Sequence, residues 1–516
     1  MKRKNYMTIL LAAVFFSGNC GVTPLEGASV KFLGAASQVS GSCYYFQTKE
    51  INFLVDCGFY YPENQAMEYE KDKKFTNDIN TQVPVSPQSI SAIVITHSHL
   101  DHIGKIPLFV KHGFNGRIIS TKLTKELSLV MMEMILKGTD MGKDDFTKSS
   151  NSKVVHSQKK CIWVGKIKRP KKIKMNRGQL FDQELRLCSG CLKIEVDQIR
   201  VLFETYDYNQ KAYLGDKISI ELFDAKHIPG SSSVLVSLES EGKKVFVTGD
   251  VGSGLDNILK GEPNLPDEID YIFMESTYGG QSRVLPEDPF REFYSDLNNA
   301  LAKDRIIWIP CFVLDRTQKV LNTIKTGQKK GLLPSNIDIK IVSPTAKKVN
   351  KVYDRHYKYR PRIVDESLTM SPNKLEENLS GPMILFTPSY LDDLEFFHPI
   401  MKNLFESSNT FISLVGYQDP RSIGGNLKNL KRGGTVKLGK KKIKLEANPK
   451  YYGGIFSGHI DSKGILDYLK LIEINKSIFL VHGDKSSLVV LKKLLNANFN
   501  NSVSVPKKGQ RISIGN

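Results

Sequence analysis

One short segment constrains the fold and chemistry of this chain more than any other, because four metal-binding side chains crowd into it, at His97, His99, Asp101 and His102. They directly follow the apolar run Ile93–Ile95, which is typical of a buried strand. Imidazole nitrogen and carboxylate oxygen are ligands that zinc prefers, and a loop after a strand can turn alternate side chains toward one point. Two zinc ions about 3.5–4 Å apart can activate water and neutralise developing negative charge. The segment therefore predicts a centre of two Zn2+ ions.

The composition is that of a folded chain with a strong excess of positive charge. Apolar residues make up 40% and charged residues 25% of the 516-residue sequence, which suits two or more packed units. The formal charge is +19, from 73 Lys and Arg against 54 Asp and Glu. Such an excess attracts nucleic acid or an anionic membrane, but a solvated lysine-rich surface explains it equally well. The charge alone assigns no function.

The N-terminus differs from the rest of the chain. Basic Met1–Lys4 precedes the apolar run Met7–Phe16 and then small and polar residues, which is typical of a secretory signal peptide. This run is shorter than the roughly 20 residues that span a membrane, so no transmembrane span is predicted. We expect residues 1–28 to be a signal, which indicates a periplasmic or extracellular protein or, through Cys20, a lipoprotein. The alternatives, a buried strand or a misassigned start, would leave the protein cytoplasmic.

The seven cysteines show no regular framework, so a disulfide scaffold is not indicated. Cys188 and Cys191 suit half of a structural zinc site, or a redox or disulfide pair in an exported protein, with Cys161 as a third partner. They adjoin a stretch rich in Lys and Arg. We interpret residues 148–192 as a basic surface excursion, which is either a solvated loop or a binding patch.

The pattern of apolar residues divides the rest of the chain into two regions with different predicted secondary structure. Short apolar runs bounded by turn residues predict strands early and in the middle of the chain, at Val30–Leu33, Cys43–Phe46, Ile51–Val55, Ile218–Leu222, Val234–Leu238 and Lys244–Thr248. Beyond Asp270, strands alternate with helices, as where Arg305–Ile309 precedes a helix over Arg316–Ile324. This alternation predicts a parallel α/β unit.

Six more segments carry motifs, namely Phe53–Gly58, Asp224–Ser231, Val247–Asp250, Phe273–Gly279, Phe456–Asp461 and Leu480–Asp484. With the histidine cluster, and in this order, they resemble the metallo-β-lactamase superfamily over about residues 30–510. The last three resemble its β-CASP branch, typified by RNA-processing nucleases of the cleavage and polyadenylation specificity factor type. The resemblance implies an α/β protein with a four-layer αββα fold over residues 29–265 and 425–516, and an inserted parallel α/β β-CASP domain over residues 266–424.

The resemblance also implies a role for each site residue. The ligands would be His97, His99 and His227 for one zinc, Asp101, His102 and His482 for the other, and Asp250 between them. Asp56 would orient the cluster without touching metal. His459, held by Glu275, would protonate the leaving oxygen while metal-bound hydroxide attacks phosphorus. The catalytic candidates are therefore Asp101, Glu275 and His459.

Two departures from the family pattern lie on the substrate side. After Tyr278 and Gly279 the family has an arginine and a nearby histidine, whereas Gly280–Val284 keeps only Arg283. Where the family has a small Ser-Gly-Met element, Thr387–Asp393 adds acidic groups that would repel a phosphate if they faced the cleft. Nuclease activity is therefore less firmly predicted than metal binding.

The leading hypothesis is a zinc-dependent ribonuclease that hydrolyses RNA phosphodiester bonds. A DNA nuclease acting on single-stranded DNA, or another phosphodiesterase of the same fold, is the second hypothesis. The third is a nucleic-acid-binding subunit with weak or lost turnover, which loss of metal ligands would mark, and none is missing from the sequence. For the assembly state, a homodimer is one of the alternatives that the sequence leaves open.

Overall fold

The structure is a computed structural model. In the part of the chain that it describes, the strands form two seven-stranded sheets, a five-stranded sheet and a two-stranded hairpin. The structure describes residues 27–61, 79–137, 195–254, 265–361, 381–389, 397–418, 422–439 and 441–515, together with 258–259, 364–366, 379 and 391. The expected signal up to residue 26 and the basic excursion over 148–192, with its cysteines, lie outside the described residues. Export therefore stays a prediction.

The first seven-stranded sheet contains β1 (Ser29–Gly34), β2 (Cys43–Gln47), β3 (Asn52–Val55), β4 (Ala92–Val94), β5 (Arg117–Ser120), β6 (Phe203–Thr205) and β21 (Arg511–Ser513). Their order across the sheet is β21-β1-β2-β3-β4-β5-β6. The chain enters as the antiparallel meander β1-β2-β3, and from β3 to β6 neighbouring strands are parallel. The parallel strands all end at one edge, where loops that carry polar side chains follow.

The second seven-stranded sheet contains β7 (Lys211–Gly215), β8 (Ile218–Asp224), β9 (Ser232–Leu238), β10 (Lys243–Val247), β11 (Glu268–Glu275), β19 (Glu473–Val481) and β20 (Ser502–Ser504). Their order is β20-β19-β11-β10-β9-β8-β7. Strands β9 and β10 pair antiparallel around the turn at Glu239–Gly242. Strand β11 pairs parallel with β19, so two distant segments end side by side.

The two large sheets face each other across an apolar core. Alternate residues of each strand point inward, as a half-buried strand requires, and the ring centroids of Phe32 and Phe273 lie 5.0 Å apart between the sheets. Outside the first sheet lie α1 (Leu100–Ile103), α2 (Ile106–Lys111), α3 (Lys122–Lys137) and α4 (Val196–Arg200). Outside the second lie α10 (Ser462–Leu469) and α11 (Lys485–Asn496). The predicted four-layer αββα fold is confirmed.

The five-stranded sheet contains β12 (Ile306–Cys311), β13 (Asp338–Ile341), β14 (Met383–Pro388), β15 (Thr410–Leu414) and β18 (Asn448–Tyr451). Their order is β13-β14-β12-β15-β18, and every pairing is parallel. Its helices are α5 (Arg291–Leu301), α6 (Arg316–Lys329), α7 (Pro344–His356), α8 (His398–Glu406) and α9 (Ile423–Asn429). The predicted parallel α/β unit is confirmed.

The parallel α/β unit contacts the αββα unit where its helix α7 packs against α3. Arg355 pairs with Glu126 at 2.6 Å, and Lys348 pairs with Glu133 at 2.8 Å. The predicted limits of the inserted domain, 266 and 424, stay a prediction. Hydrogen bonding assigns β11, beyond the first limit, to the second large sheet, and β18, beyond the second limit, to the parallel sheet.

None of the helices in the described ranges combines the length and the apolar character that crossing a bilayer demands.

Candidate metal centre

The histidine cluster follows β4 and is shaped by Asp56, which ends the neighbouring strand β3. One carboxylate oxygen of Asp56 accepts a hydrogen bond from the Thr96 backbone N–H at 2.8 Å, and the other accepts one from the Thr96 hydroxyl at 2.8 Å. The second oxygen also lies 2.7 Å from Nδ1 of His102. Asp56 is fully buried and has a left-handed φ of 60°. It therefore fixes the loop and aims the far nitrogen of His102, as the sequence predicted.

A glycine allows the loop to approach this closely. A Cβ atom at Gly58 would lie 1.6 Å from the carbonyl oxygen of Asp101. The backbone of this region is hydrogen-bonded directly to the cluster, because the Cys57 N–H donates to the carbonyl of His102 at 2.7 Å. Any side chain at position 58 would push Asp101 and His102 out of place.

The first group of ligand atoms comes from His97, His99, His227 and Asp250. Nδ1 of His99 lies 3.0 Å from Nε2 of His97 and 3.1 Å from Nε2 of His227. A carboxylate oxygen of Asp250, Oδ2, lies 3.4 Å from the His97 nitrogen and 3.5 Å from the His227 nitrogen. The atoms therefore surround one point.

The second group comes from Asp101, His102 and His482. The Nε2 atoms of His102 and His482 lie 3.2 Å apart, and Nε2 of His482 lies 3.4 Å from Oδ2 of Asp101. The other oxygen of Asp250, Oδ1, lies 3.3 Å from Nε2 of His102. Asp250 thus contributes one oxygen to each group and stands between them.

These distances fit zinc. A tetrahedral zinc ion with bonds of about 2.0–2.2 Å holds its ligand atoms about 3.3–3.6 Å apart, close to the separations in both groups. Oδ1 of Asp250 is buried and accepts no hydrogen bond from the described residues. A buried carboxylate oxygen normally has a partner, and a cation would satisfy this one.

Electrostatics favour a cation in the first group. In the second group burial acts to lower the pKa of His102 and of His482, but Asp250 and other carboxylates outweigh it and raise both pKa values, so a metal ion there must displace protons. Burial lowers the pKa of His99 and of His227 well below the usual value, so both rings are neutral and offer a lone pair. Burial works to raise the pKa of Asp250, but His482, His102 and His97 outweigh it and hold the pKa well below its usual range. The bridging carboxylate is therefore ionised, as a metal ligand must be.

Two further contacts fix which nitrogen of each ring faces the centre. Nδ1 of His227 donates to the carbonyl oxygen of Gly458 at 2.7 Å, so its Nε2 carries the lone pair. The Thr277 hydroxyl donates its single hydrogen to the backbone carbonyl of His482 at 3.2 Å and so accepts one from Nδ1 of the same residue at 3.0 Å. Sequence reasoning missed both partners. Thr277 lies in the Phe273–Gly279 motif and Gly458 in the Phe456–Asp461 motif, but only the folded chain shows what they contact.

His459 lies beside the two groups and pairs with Glu275. Its Nδ1 is 3.1 Å from Oε1 of Glu275, and that oxygen also accepts the Val251 N–H at 2.8 Å. The Thr277 N–H donates to the other carboxylate oxygen at 3.2 Å. Glu275 is buried, whereas the His459 side chain keeps 19% of its surface exposed. A carboxylate held so firmly fixes the His459 ring with one nitrogen toward the open side.

The loop that carries His459 is clamped by Arg283, a second contact that the sequence did not reveal. The guanidinium lies 5.3 Å from the ring centre of Tyr278 and donates to the carbonyl of His459. The Arg283 backbone N–H donates to Asp461 at 2.8 Å. Asp392 and Asp393, the acidic residues of the other departure from the family pattern, lie outside the described residues. Their position relative to the cleft therefore stays a prediction.

The sequence-predicted ligands and the Glu275–His459 pair thus meet at one edge of the paired large sheets. His97, His102, His227, Asp250 and His482 are buried, and His99, Asp101 and His459 border the open side. An αββα sandwich that carries such a cluster at its edge defines a metal-dependent hydrolase.

Comparisons with known proteins agree with this class. Residues 36–286 match the family described as the metallo-beta-lactamase superfamily. Residues 442–506 match the family described as a Zn-dependent metallo-hydrolase RNA specificity domain. The chain belongs to the metallo-β-lactamase superfamily and, within it, to the β-CASP branch of RNA-processing proteins.

Similar proteins come from bacteria, archaea and plants. Ribonuclease TTHA0252 of Thermus thermophilus is 24% identical over 499 residues, which is 93% of this chain and 99% of that protein. Transcription termination factor FttA of Methanococcus maripaludis is 26% identical, over 92% of this chain and 70% of that protein. Cleavage and polyadenylation specificity factor subunit 3-II of Arabidopsis thaliana is 23% identical, over 93% and 72%.

Proposed function

We propose that this chain is a zinc-dependent ribonuclease, which hydrolyses RNA phosphodiester bonds at a centre of two zinc ions. One observation carries the proposal: two groups of ligand atoms share Asp250, and the Glu275–His459 pair adjoins them. Nδ1 of His459 lies 4.0 Å from Oδ2 of Asp250. The proton donor therefore lies next to the proposed metals and on their open side.

The chain supplies seven ligands for the pair of ions. His97, His99 and His227 would hold one zinc, Asp101, His102 and His482 the other, and Asp250 both. When bound, two zinc ions supply an activated water and neutralise the charge that develops on the phosphate oxygens. Asp101, whose side chain is 21% exposed, would border the open side of the centre.

The role of His459 follows from its tautomer. A carboxylate only accepts hydrogen bonds, so Nδ1 of His459 carries the proton that faces Glu275. The other ring nitrogen can then hold a second proton and transfer it to the leaving oxygen when the P–O bond breaks. The Glu275 carboxylate stabilises the doubly protonated ring before the transfer. Such general acid catalysis contributes about 10²–10⁴-fold to rates.

RNA is the favoured substrate because of the similar proteins and the net charge. The region that matches an RNA specificity domain contributes His459 and His482 to the centre, and Ribonuclease TTHA0252 matches along nearly its whole length. The charge of +19 favours a polyanion. Single-stranded DNA remains the alternative substrate, since the phosphodiester chemistry is the same.

The test compares RNA and DNA on the zinc-loaded protein. Labelled single-stranded RNA and DNA of the same sequence are incubated with the wild type and with His99→Ala, His459→Ala and His112→Ala variants. His112 lies at the end of α2, and His112→Ala is the matched control for loss of a histidine. We expect RNA cleavage by the wild type and the control, and almost none by His99→Ala.

The His459→Ala variant separates the two parts of the proposal. It should keep its zinc and lose about 10²–10⁴-fold in turnover. Full activity in this variant would remove the proton-donor role and leave the metal centre intact. A wild type that holds zinc and cleaves DNA but not RNA would refute the ribonuclease assignment.

A further inference from the structure

A lysine-rich hairpin packs on the parallel α/β unit. It consists of β16 (Thr435–Leu438) and β17 (Lys441–Lys444), which pair antiparallel. Val436, Leu438 and Ile443 are buried against the unit. Because strand residues alternate between faces, the other face carries Lys437, Lys442 and Lys444, all exposed. We call these three side chains the lysine face.

The lysine face places like charges directly opposite each other. Lys437 pairs across the strands with Lys442, an arrangement that destabilises a hairpin. The sequence offers no relief nearby, since residues 420–445 contain no Asp or Glu. Glu446 follows and pairs with Arg432 at 3.3 Å and Lys444 at 2.6 Å. Within the described ranges, no carboxylate lies at ion-pair distance from Lys437 or Lys442.

A lysine-rich chain displays solvated lysines in many places, and several of the others lie in ion pairs with acids. Lys348 pairs with Glu133 at 2.8 Å, and Lys243 pairs with Asp270 at 3.0 Å. The lysine face differs because its positive charge is concentrated on one surface and largely uncompensated. Such a surface attracts a polyanion.

Basic and aromatic groups connect the lysine face to the catalytic edge. Helix α9 packs against both β16 and β18, and its Lys428 lies 4.4 Å above the ring of Tyr451. Tyr451 pairs with Leu414 across the sheet, and the carbonyl of the next residue, Val415, accepts a hydrogen bond from Arg316 at 3.0 Å. The Arg316 guanidinium also lies beside Gly458.

This path ends at the proton donor, because Gly458 precedes His459, whose ring lies 5.8 Å from that of Tyr278. Phosphate-binding lysines interleaved with aromatic rings are the usual means of holding a single nucleic-acid strand.

We propose that the lysine face, with Lys428, binds the phosphate backbone of single-stranded RNA outside the cleft and leads the strand to His459. The inference rests on the proposed function, because it names RNA as the polyanion. A membrane surface fits less well, since the apolar side chains of the hairpin are buried and cannot enter a bilayer. The lysine face would bind long RNA without touching the reacting atoms.

The test neutralises the lysine face and compares long with short RNA. The variant is Lys437→Gln, Lys442→Gln and Lys444→Gln in one chain. The control carries the same loss of charge at exposed Lys303→Gln, Lys329→Gln and Lys330→Gln. Affinity is measured for an uncleavable 2′-O-methyl RNA of about 20 nucleotides, long enough to cover more than one binding element, and turnover is measured on a short RNA.

We expect the lysine-face variant to bind the long RNA about tenfold or more weakly, with a salt slope reduced by about 2, because each of three phosphate contacts contributes about 0.7 on a single strand. The control should bind like the wild type, and short-RNA turnover should be unchanged in both. The charge-preserving set Lys437→Arg, Lys442→Arg and Lys444→Arg should restore binding. Equal melting temperatures show that all variants are folded.

Long-RNA affinity equal to that of the wild type would overturn the inference, as would an equal loss in the control. So would vesicles of phosphatidylcholine and phosphatidylserine whose binding depends on the lysine face while RNA binding does not. The binding measurement needs no turnover. A wild type that binds RNA through this face but cleaves none would therefore refute the proposed function and leave the inference standing.

Discussion

Replacement of Thr277 by valine should weaken one half of the metal centre selectively. The Thr277 hydroxyl accepts the Nδ1 hydrogen of His482 at 3.0 Å and donates to the backbone carbonyl of the same residue at 3.2 Å. Valine has nearly the same shape but has neither function. Nδ1 of His482 then has no fixed partner, and the ring can rotate or place its hydrogen on Nε2, the atom that faces Asp101 and His102.

The size of the effect follows from related sites. Removal of an outer partner of a metal-binding histidine costs about 10–100-fold in metal affinity, or about 1.4–2.8 kcal/mol. The loss should fall on the ion held by Asp101, His102 and His482. The ligands of the other ion, with His227 fixed by the Gly458 carbonyl at 2.7 Å, should bind as before.

Competition with a chelator measures this difference. Wild type, Thr277→Val and Thr277→Ser proteins are titrated with a zinc chelator while bound zinc is counted. Thr277→Val should release one of two ions at lower chelator concentration, and Thr277→Ser, which keeps the hydroxyl, should behave like the wild type. If Thr277→Val holds both ions as tightly as Thr277→Ser does, the hydroxyl does not orient His482.

Three further changes test other parts of the centre. Glu275→Gln should keep both zinc ions but slow RNA cleavage about 100-fold or more, because His459 loses a charged partner; normal turnover with normal zinc content would contradict this. Gly58→Ala places a Cβ atom 1.6 Å from the Asp101 carbonyl oxygen and should cost about 1–3 kcal/mol in the free energy of unfolding, read from denaturant melts. Removal of zinc with a chelator should abolish cleavage and lower the melting temperature, and zinc should restore both; cleavage by protein shown to be free of metal would refute the zinc dependence.

Local patterns allowed part of the fold to be predicted. Short apolar runs predicted β1 to β4 and β8 to β10, which are seven of the fourteen strands in the two large sheets. The helix predicted over Arg316–Ile324 exists but continues to Lys329. Strand β18 was not predicted, because Asn448–Tyr451 contains a proline and lacks an apolar run. A proline is tolerated there because β18 lies at the edge of its sheet.

In the site too, contacts between neighbours in sequence could be predicted, whereas contacts between distant residues could not. His97 to His102 are neighbours in sequence, so their spacing alone predicted a metal centre. The contacts of Thr277 with His482 and of His227 with Gly458 join residues about 200 positions apart. These contacts depend on the parallel pairing of β11 with β19 and on the packing of loops. No local pattern encodes them.

The position of the final ligand also determines when a newly synthesised chain can complete its metal centre. Four of the ligands are translated by residue 102, but His482 follows β19, the strand that lies between β11 and β20. A ribosome-bound chain therefore cannot complete its second sheet or its set of ligand residues until nearly all 516 residues have been synthesised. For this reason we expect the nascent chain to be inactive toward RNA until synthesis is nearly complete, and any product truncated before residue 482 to be inert.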